Sequence, residues 1–495
     1  MNSATKKVFI EKANALKPML KETMIAPMRK TDTKVLHTGD SVVYDFGNHY
    51  VGYLRFHCKT AGSHYDAPAF LKIKFCEALR ELQEDSADYQ GWISKSWIQE
   101  EWIHIDDFPS EIFLPRRYAF RYVKIEVLDV SSKYGLVIDD ITATAVTSAD
   151  EGKIPPFSGT EIETAIDQAA IRTLQNCMQD VFEDGPKRDR RLWIGDLHLQ
   201  ALANQATFQD YDLVKRCLYL FAGTANEEGR ISACVFTKPT DEADDTYMFD
   251  YSLFFISTLC DYVEMTQDLE TGSELLSVAV TQWELALQNF DENHLMIDSD
   301  RLGWCFLDWN LNLNKQTGAQ AVHIFCAKKL VKLMEILKET ELVAAVHQDI
   351  EKKVQAAKTY LYDSTLGLFI SGAERQISYA SQVWAVLAGI FDDQKNEKIM
   401  EELEKHTEAV YMVTPYMHHF YIEALLKIGK REQAYDAMIG YWGAMIQDGA
   451  QTFYELFNPE NPNESPYGSS IVNSYCHAWS CTPSYFMRVR GLVKK

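Results

Sequence analysis

Two hydrophobic patterns divide this chain of 495 residues. From about residue 41 to residue 147, short runs rich in Val, Ile, Tyr and Phe alternate apolar with polar positions, and Gly, Pro, Asn and Asp separate the runs. This alternation is typical of half-buried strands. It predicts strands at residues 42–46, 51–58, 70–76, 99–105, 118–128 and 141–146. We therefore expect an antiparallel β-sandwich, preceded by a short amphipathic helix near residues 6–23.

From residue 160 onwards the apolar positions recur every three or four residues, which is the period of a helix. The pattern predicts twelve helices, at residues 162–182, 196–208, 210–222, 251–265, 272–289, 319–338, 342–361, 379–391, 394–405, 415–429, 431–446 and 475–487. The links between them are alternately long and very short. The long links cover residues 183–195, 223–250, 290–318, 362–378, 406–414 and 447–474.

Six helical hairpins that are tight at one end and looped at the other describe an (α/α)6 barrel. All long loops then meet at one rim, where loops carry function on a rigid scaffold. A helical-repeat solenoid is the alternative fold, although the sequence has no repeat of fixed period. The predicted fold class is thus α+β multidomain, with a helix and β-sandwich domain at residues 1–150 and an (α/α)6 barrel as the catalytic domain at residues 151–495.

The charge balance narrows the range of partners. The chain has 49 basic and 71 acidic side chains, a formal net charge of −22. Nucleic acids and anionic membranes require a basic surface, so this balance argues against both and favours a small neutral or cationic partner. No apolar run in the sequence is long enough to span a membrane.

The cysteines and the N-terminus indicate the compartment. Ten cysteines are scattered from Cys58 to Cys481 without a Cys-x-x-Cys pair, which is typical of buried reduced thiols and not of a disulfide framework or a zinc site. Residues 1–20 are polar and lack the apolar stretch of a secretory signal. We expect a cytoplasmic protein and leave a homo-oligomer open.

The most informative stretch is residues 184–196, Asp-Gly-Pro-Lys-Arg-Asp-Arg-Arg-Leu-Trp-Ile-Gly-Asp. It holds three carboxylates (Asp184, Asp189 and Asp196), three arginines, a lysine and Trp193. The Gly-Pro pair near its start rules out an ordinary helix there. A solvated surface loop is the plain interpretation of so many charges, but the tryptophan favours the wall of a pocket.

In the barrel topology this loop faces other rim loops with candidate residues, namely Asp244, Asp245, Trp304, Asp308, Trp309, Tyr454, Glu455 and His477. Two carboxyl groups in an aromatic-lined cleft suit the cleavage of a glycosidic bond. A protonated acid donates to the leaving oxygen, while an ionised carboxylate activates water or attacks the sugar carbon. Plainer interpretations are a solvated acidic loop at residues 241–245, tryptophans that anchor the core, a structural ion pair of Glu455, and a hydrogen-bonded core histidine at His477.

At this point a family resemblance emerges. The stretch at residues 184–196 resembles the signature loop of the bacterial α-L-rhamnosidases, glycoside hydrolase family 78. In that family an acid is followed five residues later by a general-acid glutamate, then by an arginine and by Trp-x-Gly-Asp. Further segments are similar to family motifs in the same order, at residues 45–47 with 51–53, 114–122, 449–455 and 474–479. The resemblance covers about residues 40–490.

The resemblance implies an (α/α)6 barrel that hydrolyses glycosides by a single displacement with inversion. The expected reaction removes terminal α-L-rhamnose, or a related deoxysugar, from small glycosides or oligosaccharides, without a metal or other cofactor. Asp189 would protonate the leaving group and Glu455 would activate the water. The expected substrate-binding residues are Asp184, Arg188, Asp196 and His477 from the family motifs, and Trp193, Asp245, Trp304, Asp308 and Trp309 from the rim loops.

The chain departs from the family in two ways. Asp189 stands where the family usually has glutamate, which sets the carboxyl group back by about one C–C bond, ~1.5 Å. A misplacement on that scale can cost roughly 100-fold in rate. The sequence also ends at Lys495, soon after the last family segment, so we expect a compact member without the usual C-terminal β-domain.

Two other functions stay open at this point. A sugar-binding protein that has lost catalysis would bind rhamnose without turnover. An (α/α)6 hydrolase that acts on uronic-acid sugars would use arginines such as Arg188 and Arg190 to clamp the carboxylate of its substrate.

Overall fold

The computed structural model describes residues 3–28, 34–297 and 305–494. An antiparallel β-domain is followed by a domain of helical hairpins, as the two hydrophobic patterns predict. None of the helices in these ranges combines the length and the apolarity that crossing a bilayer requires.

The described residues of the β-domain contain seven strands: β1 (Lys21–Ile25), β2 (Ser41–Gly62), β3 (Ala69–Cys76), β4 (Glu100–Ile105), β5 (Ser110–Phe113), β6 (Tyr118–Asp129) and β7 (Tyr134–Thr147). Hydrogen bonds join them in the order β1-β7-β2-β6-β3-β4, with β5 on β2, and every pair is antiparallel. Their alternating apolar positions form a separate core in which Phe56, Ile73 and Phe120 are fully buried.

Strand β2 corrects part of the strand prediction. The two strands predicted at residues 42–46 and 51–58 are one strand of 22 residues. Its register against β6 shifts between Asp45 and Tyr50. Gly47, with a φ of 81°, permits this bend without ending the strand.

Two further strand predictions are also corrected. Strand β7 begins earlier than predicted, at Tyr134 instead of residue 141. The predictions contain no counterpart of β1 and β5, because β1 is almost entirely exposed and β5 has only four residues.

The N-terminal helix α1 (Ser3–Ala15) is shorter than predicted. It ends before Pro18, which cannot continue a helix, and the chain then enters β1. Phe9 and Ala13 of α1 are buried in the core of the helical domain, where the helix packs against α4 (Tyr211–Thr224). In space α1 therefore belongs with the helical domain, although it precedes the β-domain in the chain. The domain boundary at residue 150 stays a prediction.

The described part of the helical domain has twelve helices: α2 (Glu161–Cys177), α3 (Ile194–Ala206), α4, α5 (Phe249–Thr266), α6 (Leu269–Ala286), α7 (Gln316–Leu337), α8 (Val343–Ala356), α9 (Tyr379–Ala388), α10 (Asp393–Leu403), α11 (Pro415–Lys427), α12 (Arg431–Gln447) and α13 (Pro483–Arg488). Short strands lie in the long links: β8 (Leu192–Trp193), β9 (Cys234–Phe236) and β10 (Glu242–Ala243) form one sheet, and β11 (Tyr362–Asp363) pairs with β12 (Leu368–Phe369).

The odd-numbered helices from α3 to α11 contact one another in sequence. The short turn at residues 478–480, just before α13, contacts both α3 and α11, and α13 contacts α3, so the ring closes. The links between hairpin partners are short, and the links between successive hairpins are long. This is the alternation that predicts a ring of six hairpins.

The last predicted helix, at residues 475–487, is wrong in its first half. Pro483 stands at the first helical position of α13, where its missing N–H is tolerated. The preceding residues instead bond to neighbouring segments: the N–H of His477 donates to the Phe453 carbonyl (2.9 Å), and the N–H of Ala478 donates to the Asp184 carbonyl (2.8 Å). These bonds bring three distant segments of the chain together.

Candidate active site

A cavity of about 210 Å³ lies where the long links of the helical ring meet the β-domain. Its wall is built from the links that precede α3, α5, α7 and α13, from the first turns of α3 and α5, and from the connection between β3 and β4. The cavity brings together nine of the predicted residues, namely Asp184, Arg188, Asp189, Trp193, Asp196, Asp244, Trp309, Glu455 and His477.

The Asp184 side chain organises the charged loop. Its carboxylate oxygens accept the backbone N–H groups of Asp189 (3.0 Å) and Arg191 (3.1 Å). The backbone N–H of Asp184 in turn donates to the Arg191 carbonyl (3.0 Å), which closes the loop on itself. Burial, together with the charge of Asp189, raises the pKa of Asp184 to about 7.

Gly185 allows the loop to close this tightly. A Cβ at this position would lie 2.5 Å from the Arg188 carbonyl oxygen and 2.6 Å from Ser474 Oγ. The Gly185 carbonyl also accepts the N–H of Arg190 (3.1 Å). The Gly-Pro pair predicts a non-helical loop, and its glycine stands where the backbone leaves no room for a side chain.

Arg188 and Glu455 form a buried ion pair beside the cavity. Arg188 Nε donates to the Val472 carbonyl (2.6 Å), and its guanidinium carbon lies 4.0 Å from the centre of the Tyr467 ring. The Tyr467 hydroxyl donates to Glu455. Burial alone would raise the pKa of Glu455, but the charges of Arg188 and His477 and the Tyr467 hydrogen bond outweigh it and hold that pKa below its ordinary value. Glu455 is therefore ionised at neutral pH.

Asp189 faces the second terminal nitrogen of the same guanidinium. Its Oδ1 lies 3.9 Å from Nη1 of Arg188, whereas Glu455 contacts Nη2. The Asp189 side chain is 25% exposed, against 5% for Glu455. One arginine side chain thus spans the two acids, and Asp189 is the more open of them.

His477 and Asp196 form a second charged pair in the wall. His477 Nε2 lies 3.1 Å from Asp196 Oδ1, and Asp196 is in the first turn of α3, where the helix dipole favours a negative charge. Burial lowers the pKa of His477, but Asp196 and Glu455 outweigh it and raise that pKa above its ordinary value. Burial raises the pKa of Asp196.

Two buried nitrogens of the wall are available to a ligand. Within the described part of the chain, His477 Nδ1 and the indole nitrogen of Trp193 make no hydrogen bond. A buried polar atom without a partner carries a free-energy cost. Since both residues line the cavity, the polar groups of a bound ligand could satisfy these atoms.

Aromatic rings complete the wall. Trp193 meets Tyr251 edge to face, with ring centres 6.2 Å apart. Phe306 meets Trp309 edge to face at 5.2 Å and stacks on Trp479 at 5.4 Å. Flat apolar faces next to buried acids and a histidine suit a ligand with both C–H faces and hydroxyl edges.

Four predicted residues are not part of this wall. Tyr454 instead donates its hydroxyl to Asp448 (3.2 Å). Asp308 accepts three hydrogen bonds from residues 413–414, which fixes the start of α11. Asp245 is exposed, and its neighbour Asp244 lines the cavity instead. Trp304 lies outside the described residues. Neither Asp245 nor Asp308 lines the cavity, so the wall does not support their predicted role in substrate binding.

The arginine clamp for a uronic acid also lacks support. Arg190 lies outside the wall and donates from Nε to the Lys187 carbonyl (3.2 Å). Arg188 is committed to Glu455 and to a backbone carbonyl. These two side chains do not converge on the cavity as a pair of free cations.

Several wall residues fall outside the predicted site. Trp92, Ile93 and Trp97 come from the β-domain, and Tyr467 comes from a polar loop between α12 and α13. Two tryptophans within six residues of a polar connection are a sequence signal for a surface that binds a ligand. Tyr467 has no such signal, because its surroundings in sequence are typical of a solvated loop.

The β-domain holds the charged loop on both flanks. The Lys187 ammonium, which is buried, bonds to the Glu81 carboxylate and lies 3.7 Å from Glu77. On the other flank Arg117 makes two hydrogen bonds to the Glu183 carboxylate, at 2.9 and 2.7 Å. The position of the loop therefore depends on both domains.

Within the described residues, one group of potential metal ligands lies close together, Cys260, Asp261 and Glu264 on α5. It is not in the cavity wall. Asp261 and Glu264 are paired with the ammonium groups of Lys329 and Lys332. These pairs already neutralise the acids, so we assign no metal to them.

Two family models match the chain. Residues 5–145 match the glycosyl hydrolase family 78 alpha-rhamnosidase N-terminal domain, and residues 160–490 match the bacterial alpha-L-rhamnosidase 6 hairpin glycosidase domain. The comparison with curated protein sequences finds no match.

Solved structures resemble the chain over nearly its whole length. A rhamnosidase from Klebsiella oxytoca with rhamnose bound has 47% identity and a TM-score of 0.95, with 98% of this chain and 99% of that chain covered. A family 78 rhamnosidase of Bacillus sp. GL1 has 21% identity and a TM-score of 0.79, covering 93% and 47% of the two chains. An α-L-rhamnosidase of Streptomyces avermitilis, complexed with L-rhamnose, has 15% identity and a TM-score of 0.68, covering 95% and 44%. The last two likenesses concern the fold alone.

Proposed function

The chain belongs to glycosyl hydrolase family 78, the α-rhamnosidases, and on this premise we propose that it removes terminal α-L-rhamnose, or a related deoxysugar, from small glycosides or oligosaccharides with inversion at the anomeric carbon. The observation that carries the proposal is that Asp189 and Glu455 line one cavity and reach the two terminal nitrogens of one guanidinium.

Asp189 is the general acid in this proposal. It is the more exposed of the two acids, as required of a group that meets the leaving oxygen at the open side of the sugar. Its backbone N–H is held by Asp184, which supports a fixed position for its carboxyl group. The placement of the loop then compensates for the Asp189 side chain, which is shorter than the family's usual glutamate.

Glu455 is the general base. Arg188 and Tyr467 keep it ionised and oriented, so that it can take a proton from a water that attacks the anomeric carbon. Inversion requires about 6.5–9.5 Å between the two carboxyl groups, because the water must fit between the general base and the sugar.

The remaining polar residues of the wall bind the sugar. His477 and the indole nitrogen of Trp193 present atoms without a hydrogen-bond partner to the cavity, Asp196 pairs with His477 beside it, and Asp184 and Arg188 fix the loop that carries the acid. Trp193 and Trp309 offer flat faces to the ring. No step of this mechanism calls for a metal or other cofactor.

We also propose a cytoplasmic location, supported by ten cysteines that are all buried and free. The net charge of −22 supports a small carbohydrate partner over a nucleic acid or an anionic membrane. A homo-oligomer is compatible with these features and is left to solution measurements.

Proton NMR of the reaction with 4-nitrophenyl α-L-rhamnoside tests the proposal. We expect β-L-rhamnose as the first product, before mutarotation produces the α-anomer. If α-L-rhamnose appears first, the reaction retains configuration and the roles given to the two acids are wrong. If L-rhamnose binds in calorimetry but no rhamnoside is cleaved, the protein is a catalytically silent sugar-binding protein.

A further inference from the structure

The outer wall of the cavity belongs to the β-domain and differs in chemistry from the inner wall. The inner side chains Asp184, Asp196, Glu455 and His477 are charged or polar and almost fully buried. The β-domain contributes three apolar side chains, those of Trp92, Ile93 and Trp97. The charged inner part suits a sugar with its hydroxyl groups, and the apolar outer part suits a ligand group that has few hydroxyl groups.

Trp92 combines high exposure with a fixed position. Its side chain is 68% exposed, yet its indole N–H donates to the Pro466 carbonyl at 2.7 Å. Its ring centre lies 5.5 Å from that of Tyr467, with the planes tilted by 41°. A large apolar ring that is held in place with most of its surface exposed is a platform for a ligand more than a part of the core.

The backbone beneath Trp92 is packed tightly against the same segment. A Cβ at Gly91 would lie 1.8 Å from the Tyr467 carbonyl oxygen, so only glycine fits. The Tyr89 hydroxyl donates to that carbonyl at 3.3 Å, and Tyr89 shares a small apolar cluster with Ile98 and Tyr467. The platform is therefore anchored by buried contacts on its inner side.

Tyr467 connects this platform to the catalytic carboxylate. Its hydroxyl donates to Glu455 while its ring stacks against Arg188, and the next residue back, Pro466, holds the indole of Trp92. The Trp92 ring therefore has a defined position relative to Glu455, and its exposure places it at the mouth of the cavity.

From this arrangement we propose that Trp92, with Ile93 and Trp97, forms an aglycone subsite that binds a flat aromatic leaving group. The proposal rests on the proposed function and adds a substrate class to it. An aryl ring can stack on the exposed indole face, and the three apolar side chains offer few hydrogen-bond partners to the hydroxyl groups of a second sugar.

Steady-state kinetics of Trp92→Ala with three substrates test the subsite. The substrates are phenyl α-L-rhamnoside, trifluoroethyl α-L-rhamnoside with a small alkyl leaving group, and a rhamnosyl-glucose disaccharide. We expect kcat/KM to fall about tenfold for the phenyl substrate and to change less than about twofold for the other two. The inhibition constant of free L-rhamnose should stay at the wild-type value, because the inner wall is untouched.

Two variants separate stacking from a structural role. Trp92→Phe keeps an aromatic face and should recover most of the activity on the phenyl substrate, although it loses the bond to Pro466. Trp102→Ala is the matched control, since Trp102 is also an exposed tryptophan of the β-domain (56%) but lies outside the cavity wall. It should leave all three substrates unaffected.

Three outcomes would overturn the proposal. Equal losses on all three substrates would assign Trp92 a purely structural role through Tyr467. An equal loss on the phenyl and disaccharide substrates would mean that the subsite takes a sugar. No loss on the phenyl substrate would mean that the leaving group lies elsewhere. A wild-type protein that cleaves none of the three would instead overturn the proposed function.

Discussion

The backbone N–H of Asp189 donates to the carboxylate of Asp184 across 3.0 Å. The proposed general acid is thus held through its main chain by another acid of the same loop, which leaves the Asp189 side chain to the cavity. The same carboxylate accepts the N–H of Arg191, so that one buried side chain sets the conformation of the loop at residues 189–191.

Asp184→Asn should change how stability depends on pH. Burial raises the pKa of Asp184 from 3.8 to about 7 in the folded protein, so folding takes up a proton between these values. The contribution of Asp184 to stability is therefore largest below pH 3.8 and is lost as the pH rises through about 7. Urea denaturation of both proteins between pH 4 and pH 8 measures it. The unfolding free energy of the wild type minus that of the variant should fall as the pH rises through this window. If both proteins depend on pH in the same way, the raised pKa of Asp184 is contradicted.

Asp189→Asn and Glu455→Gln should differ in their dependence on the leaving group. Loss of either group should lower kcat by about 10²–10⁴-fold on a disaccharide. On 4-nitrophenyl α-L-rhamnoside the loss for Asp189→Asn should be much smaller, because nitrophenolate leaves without protonation, whereas Glu455→Gln should lose as much as before. Asp245→Asn serves as the control outside the cavity wall. If Glu455→Gln instead showed the smaller loss on the nitrophenyl substrate, Glu455 would be the general acid and Asp189 the general base.

Asp189→Glu tests whether the loop compensates for the short acid. If the backbone already places the aspartate carboxyl group correctly, an extra methylene displaces it by ~1.5 Å. We expect kcat to fall roughly 100-fold with KM little changed. A variant as active as the wild type or more active would mean that the aspartate is a poorly placed acid.

Lys187→Met should destabilise the protein strongly. The substitution leaves the buried carboxylates of Glu81 and Glu77 without their cation, a change that typically costs about 3–5 kcal/mol of unfolding free energy. Lys133→Met removes an exposed pair with Asp66 and should change stability far less, because water and salt screen such a pair. Denaturant unfolding of both variants measures the difference. Equal effects would mean that the buried network contributes little to stability.

Two glycine substitutions should act in opposite directions. A Cβ at Gly195 would lie 2.3 Å from the Tyr251 ring, so Gly195→Ala should lower the unfolding free energy by about 1–3 kcal/mol and disturb the cavity wall. Gly440 lies within α12 with open space around its Cβ position, and Gly440→Ala should raise stability by about 0.5–1 kcal/mol. Thermal unfolding checks both. If Gly195→Ala left the unfolding free energy unchanged, the close packing of α3 on α5 would be contradicted.

The hairpin architecture could be predicted from the sequence because it depends on local periodicity. Apolar residues every three or four positions mark the helices, and Gly, Pro and polar runs mark the links. The helix predicted at residues 475–487 is wrong in its first half because the backbone there bonds to residues 453 and 184, which are distant in the sequence. A periodic pattern cannot distinguish burial in a helix from burial in a packed loop.

The site was predictable only in part, for a similar reason. The charged loop and Glu455 are conspicuous because an acid among apolar residues is costly to bury without a partner. Asp308 looks the same in sequence, but hydrogen bonds from residues 413–414 occupy it. Tyr467 reaches the cavity through packing between the domains, which no local pattern reports, whereas Trp92 is marked only by a second tryptophan nearby in the sequence.

The ion pairs that join Lys187 to Glu81 and Arg117 to Glu183 have a consequence for engineering. A chimaera that takes its β-domain from one relative and its barrel from another would bring together halves of these pairs that had not evolved together. Each mismatch would leave a buried charge without a partner where the two domains meet, next to the loop that carries Asp189. A chimaera would therefore be active only if the residues of these ion pairs are exchanged together with the domain. A barrel expressed alone should be insoluble or inactive.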